Sequence, residues 1–166
     1  MNIRDYLLSE RVTFEWFLHR PASTASRLAR NVHVTGRAVA KAVLLWTGDG
    51  YCLAVLPATG RVDLERFSRL LAGSVVRLAD EEEVSARLKD CERGAVPPFG
   101  RAFGLPTFVD LSLARGASKF VCVGNQRHEG LRLSYEDFER LERPRVAEFI
   151  EDHGTPPLSD TRRIAS

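Results

Sequence analysis

Two features of the chain could do chemistry together. One is Lys41, set in an otherwise uncharged run from Ala38 to Trp46. The other is Gly94-Ala95-Val96-Pro97-Pro98-Phe99-Gly100, where two glycines bracket adjacent prolines. Proline lacks an N–H, fixes φ and pushes the residue before it to extended conformations, so this segment is neither helix nor central strand. It reads as a stiffened loop whose Gly94 and Ala95 N–H groups are candidates to hold an oxyanion or a carbonyl oxygen. The plainer alternative is a connector whose glycine permits a turn. Lys41 has Val39 and Val43 as same-face neighbours. Its ammonium either guards an exposed sheet edge or turns into a cleft to meet an anion or polarise a carbonyl.

Other reactive side chains give weaker patterns. Cys52, Cys91 and Cys122 are widely separated and form no C-x-x-C pair, so neither a disulfide framework nor a zinc knuckle is implied. Cys91 lies between Asp90 and Glu92, which disfavours a thiolate. His19, His33, His128 and His153 lack metal-binding spacing, and no metal and no cofactor is expected. There is no Ser-His-Asp or Cys-His set. His128 falls in a turn between two expected strands, as a solvated residue or a pocket residue. Asp110 follows a short strand and either lines a cleft or caps the next turn.

The elements that must position these residues can be read from periodicity. The 166 residues fit one domain with a proper core, and no apolar run is long enough to span a membrane. Met1-Asn2-Ile3-Arg4-Asp5 has no signal-peptide pattern, so the expected location is the cytoplasm. The net charge of +2 neither demands nor excludes RNA as a partner. Residues 3–9 read as a helix, 12–18 as a strand, and 25–32 as a helix capped by Ser23-Thr24. Strands over 39–46 and 51–56 flank the turn Thr47-Gly48-Asp49-Gly50 and form a hairpin. Helices are expected over 63–71, 80–89 and 135–141, the second opened by a capping box at Asp80 to Glu83. Strands are expected over 74–78, 107–109, 119–123 and 131–133. Residues 1–150 thus form one α+β domain, and 151–166, rich in proline and poor in apolar residues, read as a mobile tail.

Four pieces of the chain carry a family resemblance. They are Phe14 to Ala22 followed by Thr24 and Ala25; Val39 to Leu45; Asp90 to Gly100, with a Gly-x-x-x-Pro pattern from Gly94 to Pro98; and Val123-Gly124-Asn125-Gln126-Arg127-His128 leading through Leu131 to Phe138. In this order they resemble the YbaK / prolyl-tRNA-synthetase-associated domain family, over about residues 3–145. Members of that family remove wrongly attached amino acids from tRNA. The resemblance implies a single domain with a mixed, curved β-sheet surrounded by helices. It makes Lys41 the characteristic strand lysine, in contact with the tRNA 3′ end or the ester. It makes the loop from Gly94 the holder of the substrate carbonyl, with Ala95, Pro98 and Phe99 beside it. His19, Thr24, Asp110 and His128 become candidate pocket residues.

The expected activity is therefore deacylation of misacylated tRNA, with alanine or cysteine on a proline tRNA as substrate. His128 leans the expectation toward alanine. Arg20, Arg27, Arg30 and Arg37 are the candidates for RNA contact, although helix surfaces also carry such residues for solubility alone. An aminoacyl-tRNA synthetase is a further candidate partner, and the oligomeric state is not legible. Two rivals stay open at this point: a non-catalytic module that binds aminoacyl-tRNA or a synthetase, and a small-molecule hydrolase or ligand-binding protein reusing the cleft.

Overall fold

The computed structural model describes residues 1–152, which form eight strands in two sheets with six α-helices around them. Strands β1 (Phe14–Leu18), β6 (Lys119–Val123) and β7 (Glu129–Ser134) make an antiparallel sheet in the order β1-β7-β6. The second sheet has the order β4-β2-β3-β5-β8, from β2 (Ala40–Trp46), β3 (Tyr51–Pro57), β4 (Arg77–Leu78), β5 (Thr107–Asp110) and β8 (Arg145–Ala147). Its β2, β3 and β4 pair antiparallel, while β3-β5 and β5-β8 are parallel. The expected α+β class, a mixed sheet wrapped by helices, is what forms. The sheet is divided, however, with a bridge between Val39 and Val121 linking the two ladders.

The hairpin is where its turn chemistry put it. Gly48 (φ +84°) and Gly50 (φ +152°) accept a backbone that side chains resist. Its register sets Lys41 opposite Leu56. On the other side β4 reaches only Leu45 and Trp46, so no β4 residue pairs with Lys41. The strand expected over 74–78 shrinks to Arg77–Leu78 because Ser74 is spent on the preceding helix. Its carbonyl accepts from the Ser68 hydroxyl, and its own hydroxyl donates to the Leu71 carbonyl. Strand β8 was not expected at all; three residues behind Pro144 carry too little pattern to announce an edge strand.

Helix starts follow the side-chain signals. Asn2 caps α1 (Ile3–Ser9), Thr24 caps α2 (Ala25–Asn31), Asp63 caps α3 (Leu64–Leu70), and Ser134 caps α6 (Tyr135–Glu142). The full capping box between Asp80 and Glu83 opens α4 (Glu81–Arg87). Asp110 caps the short α5 (Leu111–Ala114). Each cap contributes about 1 kcal/mol.

β3 is buried on both faces, as an apolar run in a parallel-paired strand should be. Leu53 and Val55 join a core with Phe99, Phe120, Leu131 and Phe138, whereas Cys52, Ala54 and Leu56 pack with Phe67, Phe108 and Phe149. A smaller cluster of Leu28, Ala29, Val39, Ala58 and Val121 pins α2 to the junction of the sheets. The tail expected from residue 151 falls mostly on residues 153–166, outside those described. Glu151 still donates its N–H to the Arg61 carbonyl, and Asp152 accepts from Arg66.

One core carboxyl makes stability depend on pH. Glu142 is 2% exposed; its Oε2 accepts from the Thr107 hydroxyl at 2.7 Å and the Arg101 N–H at 3.1 Å, and its Oε1 meets no donor among the described residues. Burial pushes its pKa above the ordinary 4.5. The folded state then holds this proton at pH values where the unfolded chain has lost it. Stability falls as pH rises from 4.5 through the folded value. Urea midpoints measured across that range should show the fall, and Glu142→Gln should flatten it.

Candidate active site

A cleft of about 430 Å³ opens between the start of α2, strand β2 and the loop after Cys91. β2 contributes Lys41. The approach to α2 and its first turn contribute Ser23, Thr24 and Ser26, and the loop contributes Gly94 and Val96. Small apolar residues, Ala22, Ala25, Ala40, Ala42 and Ala58, make much of the remaining wall. The cleft is thus largely apolar, and its polar groups come from three different segments.

Lys41 is half-buried, and burial pulls its pKa below the ordinary lysine value of 10.5; repulsion from the nearby Arg61 adds to the effect. No carboxylate pairs with it among the described residues. A partly desolvated ammonium with no counterion can attract an anion or polarise a carbonyl. The Thr24 hydroxyl oxygen accepts from the Arg27 N–H at 3.1 Å, which leaves its proton free to donate.

The loop opposite is held by an ion pair. Glu92 accepts from the Arg127 backbone N–H at 2.7 Å and from its Nε at 3.0 Å, contacts that pull the Glu92 pKa below the usual carboxylate value. The Glu92 N–H donates to the Asn125 carbonyl, and the Ala22 N–H to the Arg127 carbonyl. Two walls of the cleft, the loop and the approach to α2, are therefore tied through Glu92 and Arg127. Gly94 sits beside them at φ +90°, where an added Cβ would lie 3.3 Å from the Arg127 side chain. The Gly94 N–H has no acceptor among the described residues. Asn125 anchors the turn from below. It accepts from the Ile3 N–H at 2.7 Å and donates to the Met1 and Asp90 carbonyls.

Of the residues singled out in the sequence, Lys41, Thr24 and Gly94 come together. Others do not. The Ala95 N–H donates to the Glu92 carbonyl at 2.9 Å, so it closes the turn and is not a free donor. Pro98 and Phe99 turn inward; Phe99 is fully buried with its ring 6.0 Å from Phe138. The double proline stiffens the loop from beneath, and Val96 faces the cleft instead. Asp110 is 2% exposed and its carboxylate is filled by the Ser112 N–H and hydroxyl and by the Phe149 and Ile150 N–H groups. It is a capping residue, not a lining one. His128 is exposed in the β6–β7 turn and contributes its carbonyl to the His19 N–H, so its side chain gives no lean toward alanine. His19 and Arg20 line a neighbouring cavity. Arg20, Arg27, Arg30 and Arg37 are all exposed, and none is ion-paired among the described residues.

Sequence reasoning missed Ser26, Val96, the Glu92–Arg127 pair and Arg61. Only Glu92 carried a usable signal, as one carboxylate of the Gly-Pro loop motif facing a later arginine motif. Its partner is 35 residues away, beyond any local pattern.

Solved structures share this fold. A candidate trans-editing enzyme for prolyl tRNA synthetase is 25% identical, with a TM-score of 0.76 over 90% of this chain and 94% of that one. The hypothetical protein APE2540 is 22% identical, with a TM-score of 0.79 over 90% and 99%. A scaffold protein from computational epitope backbone grafting is 24% identical, with a TM-score of 0.77 over 90% and 95%. Among the described residues, no helix is long and apolar enough to cross a membrane. Residues 19–141 match the family model of the aminoacyl-tRNA editing domain. That span is well over half of the chain and carries Thr24, Lys41, Glu92, Gly94 and Arg127, so the protein belongs to the aminoacyl-tRNA editing domain family.

Proposed function

We propose that the protein is a trans-editing deacylase that hydrolyses the ester of a misacylated tRNA, with alanine or cysteine on a proline tRNA as substrate. The observation that carries this reading is the unpaired, half-buried Lys41 ammonium sharing a cleft with Thr24 and the Gly94 turn. The likeness to a candidate editing enzyme for prolyl tRNA synthetase supports the choice of tRNA. The alanine-rich wall supports an apolar side chain on the substrate, since it offers apolar contact. Second-site hydrolysis is the expected remedy where a synthetase cannot reject such small side chains by binding alone.

In the proposed reaction the acylated ribose lies between β2 and the loop. Lys41 draws the 3′-terminal phosphate or polarises the ester carbonyl. The Gly94 N–H donates to the oxyanion as water adds to the carbonyl carbon. The bond to the ribose oxygen then breaks, and a proton from the water ends on that oxygen. Apart from Lys41 the cleft lining holds no titratable side chain among the described residues, so the proton moves through water, the neighbouring ribose hydroxyl or the substrate amine. No covalent enzyme intermediate is needed. Arg20, Arg27, Arg30 and Arg37 form the proposed tRNA-facing surface, and tRNA affinity should fall steeply with salt.

A deacylation panel over proline tRNA charged with alanine, cysteine, serine or proline tests the substrate. The alanyl and cysteinyl esters should turn over fastest and the prolyl ester slowest. Fastest hydrolysis of the prolyl ester would overturn the assignment.

A further inference from the structure

Next to the cleft lies a second cavity of about 470 Å³ that the hydrolysis above does not use. It is lined by Phe17, His19, Arg20, Asn31 and Arg132 among others, from the end of β1, the end of α2 and strand β7. The Phe17 ring is fixed in place: a Cβ on Gly130 would come within 2.3 Å of it, so only glycine lets it lie against β7. The Arg132 guanidinium sits 6.0 Å from the centre of that ring, and the His19 ring 6.1 Å away on a 55° tilt. Arg132 is held by Glu15 at 3.2 Å.

The polar edges of this cavity are unfinished. His19 Nδ1 donates to the Arg20 carbonyl at 2.6 Å, which orients the ring, and its Nε2 is buried without a partner among the described residues. Asn31 donates its Nδ2 to the same carbonyl at 2.8 Å, and its Oδ1 has no donor among the described residues. A bare phosphate would gain nothing from an aromatic ring and an amide acceptor. An unpaired nucleobase would use the cavity better: the Phe17 ring to pack on, a guanidinium plane beside it, and the Asn31 Oδ1 acceptor for its exocyclic amine.

The two cavities are also neighbours along the chain. Arg20 lines one and Thr24 the other, and four residues of extended chain span at most about 14 Å. Helix α2 lines the cleft with Ser26 and Leu28, and its last residue Asn31 with the following Val32 lines the second cavity. We infer that this cavity seats an unpaired base of the single-stranded tRNA 3′ end, next to the acylated nucleoside in the cleft. The inference rests on the deacylase reading, which supplies the strand.

The test compares the alanyl ester of adenosine with the alanyl ester of a trinucleotide ending in adenosine, its middle base replaced by fluorescent 2-aminopurine. The wild-type protein should show a KM about tenfold lower for the trinucleotide, the size expected of one stacked base, and should quench the 2-aminopurine on binding. Phe17→Leu and, separately, Arg132→Gln should erase most of that KM ratio and the quenching. Equal KM values in the wild type, or variants that raise both KM values together, would overturn the base seat. Cleavage of neither ester would sink the deacylase reading instead. The quenching would then decide the base seat alone, present and lost in Phe17→Leu supporting it, absent in the wild type overturning it.

Discussion

Lys41→Met should lower the deacylation rate by about 10²–10³-fold, the cost of removing one preorganised charge-stabilising group, and at the same time make the protein more stable. Both effects have one cause. The ammonium is half-buried, unpaired, and close to the like charge of Arg61, so its pKa is depressed below 10.5. Between the depressed value and 10.5 the unfolded chain binds the proton and the folded chain does not, so stability rises with pH through that window. Below the window the full cost of holding the charge in the fold is present. Methionine keeps the stem and removes the charge, and the gain should be up to about 1 kcal/mol, in the range of other stability–activity trade-offs. Urea melts at neutral pH and single-turnover hydrolysis of alanyl-tRNA read the two effects together. The wild-type rate, corrected for spontaneous ester hydrolysis, should fall as pH climbs through the depressed lysine value. A variant that is inactive and also destabilised would mean that Lys41 holds the fold and not the substrate.

Asp110→Ala should do the opposite, costing about 3 kcal/mol or more of stability while leaving the rate per folded molecule intact. The carboxylate receives four donors, from Ser112 N–H (3.0 Å), Ser112 Oγ–H (2.5 Å), Phe149 N–H (2.8 Å) and Ile150 N–H (3.3 Å). Removing it strands buried donors, each of which carries its own desolvation cost. It also frees the segment carrying Phe149, whose ring packs 5.2 Å from Phe67 in the core behind β3. Denaturant midpoints and active-site titration separate the two quantities. A raised KM with unchanged stability would restore Asp110 as a substrate ligand.

These two residues also show what the sequence could and could not reveal. Lys41 was legible because it is the single charge inside a continuous apolar run, and local pattern is what a sequence displays. The caps at Thr24, Asp80 and Ser134 were legible for the same reason: donor and acceptor lie three residues apart. Asp110 was open between two roles because the deciding partners, Phe149 and Ile150, lie 39 and 40 residues away. The split of the sheet into two ladders and the parallel edge strand β8 depend on long-range pairing that three residues cannot encode locally. The Gly94 loop was half legible. Its backbone stiffness followed from residue type, whereas the engagement of Ala95 with Glu92 and the burial of Phe99 against Phe138 are contacts that only the fold creates.

The most direct measurement is the release of labelled alanine from mischarged proline tRNA by the purified wild-type protein, set against the spontaneous rate in the same buffer. Release should be accelerated at catalytic protein concentrations and should weaken as salt is raised. A rate no faster than the spontaneous one, with salt-sensitive tRNA binding retained, would make the cleft a holder of aminoacyl ends and contradict hydrolysis there.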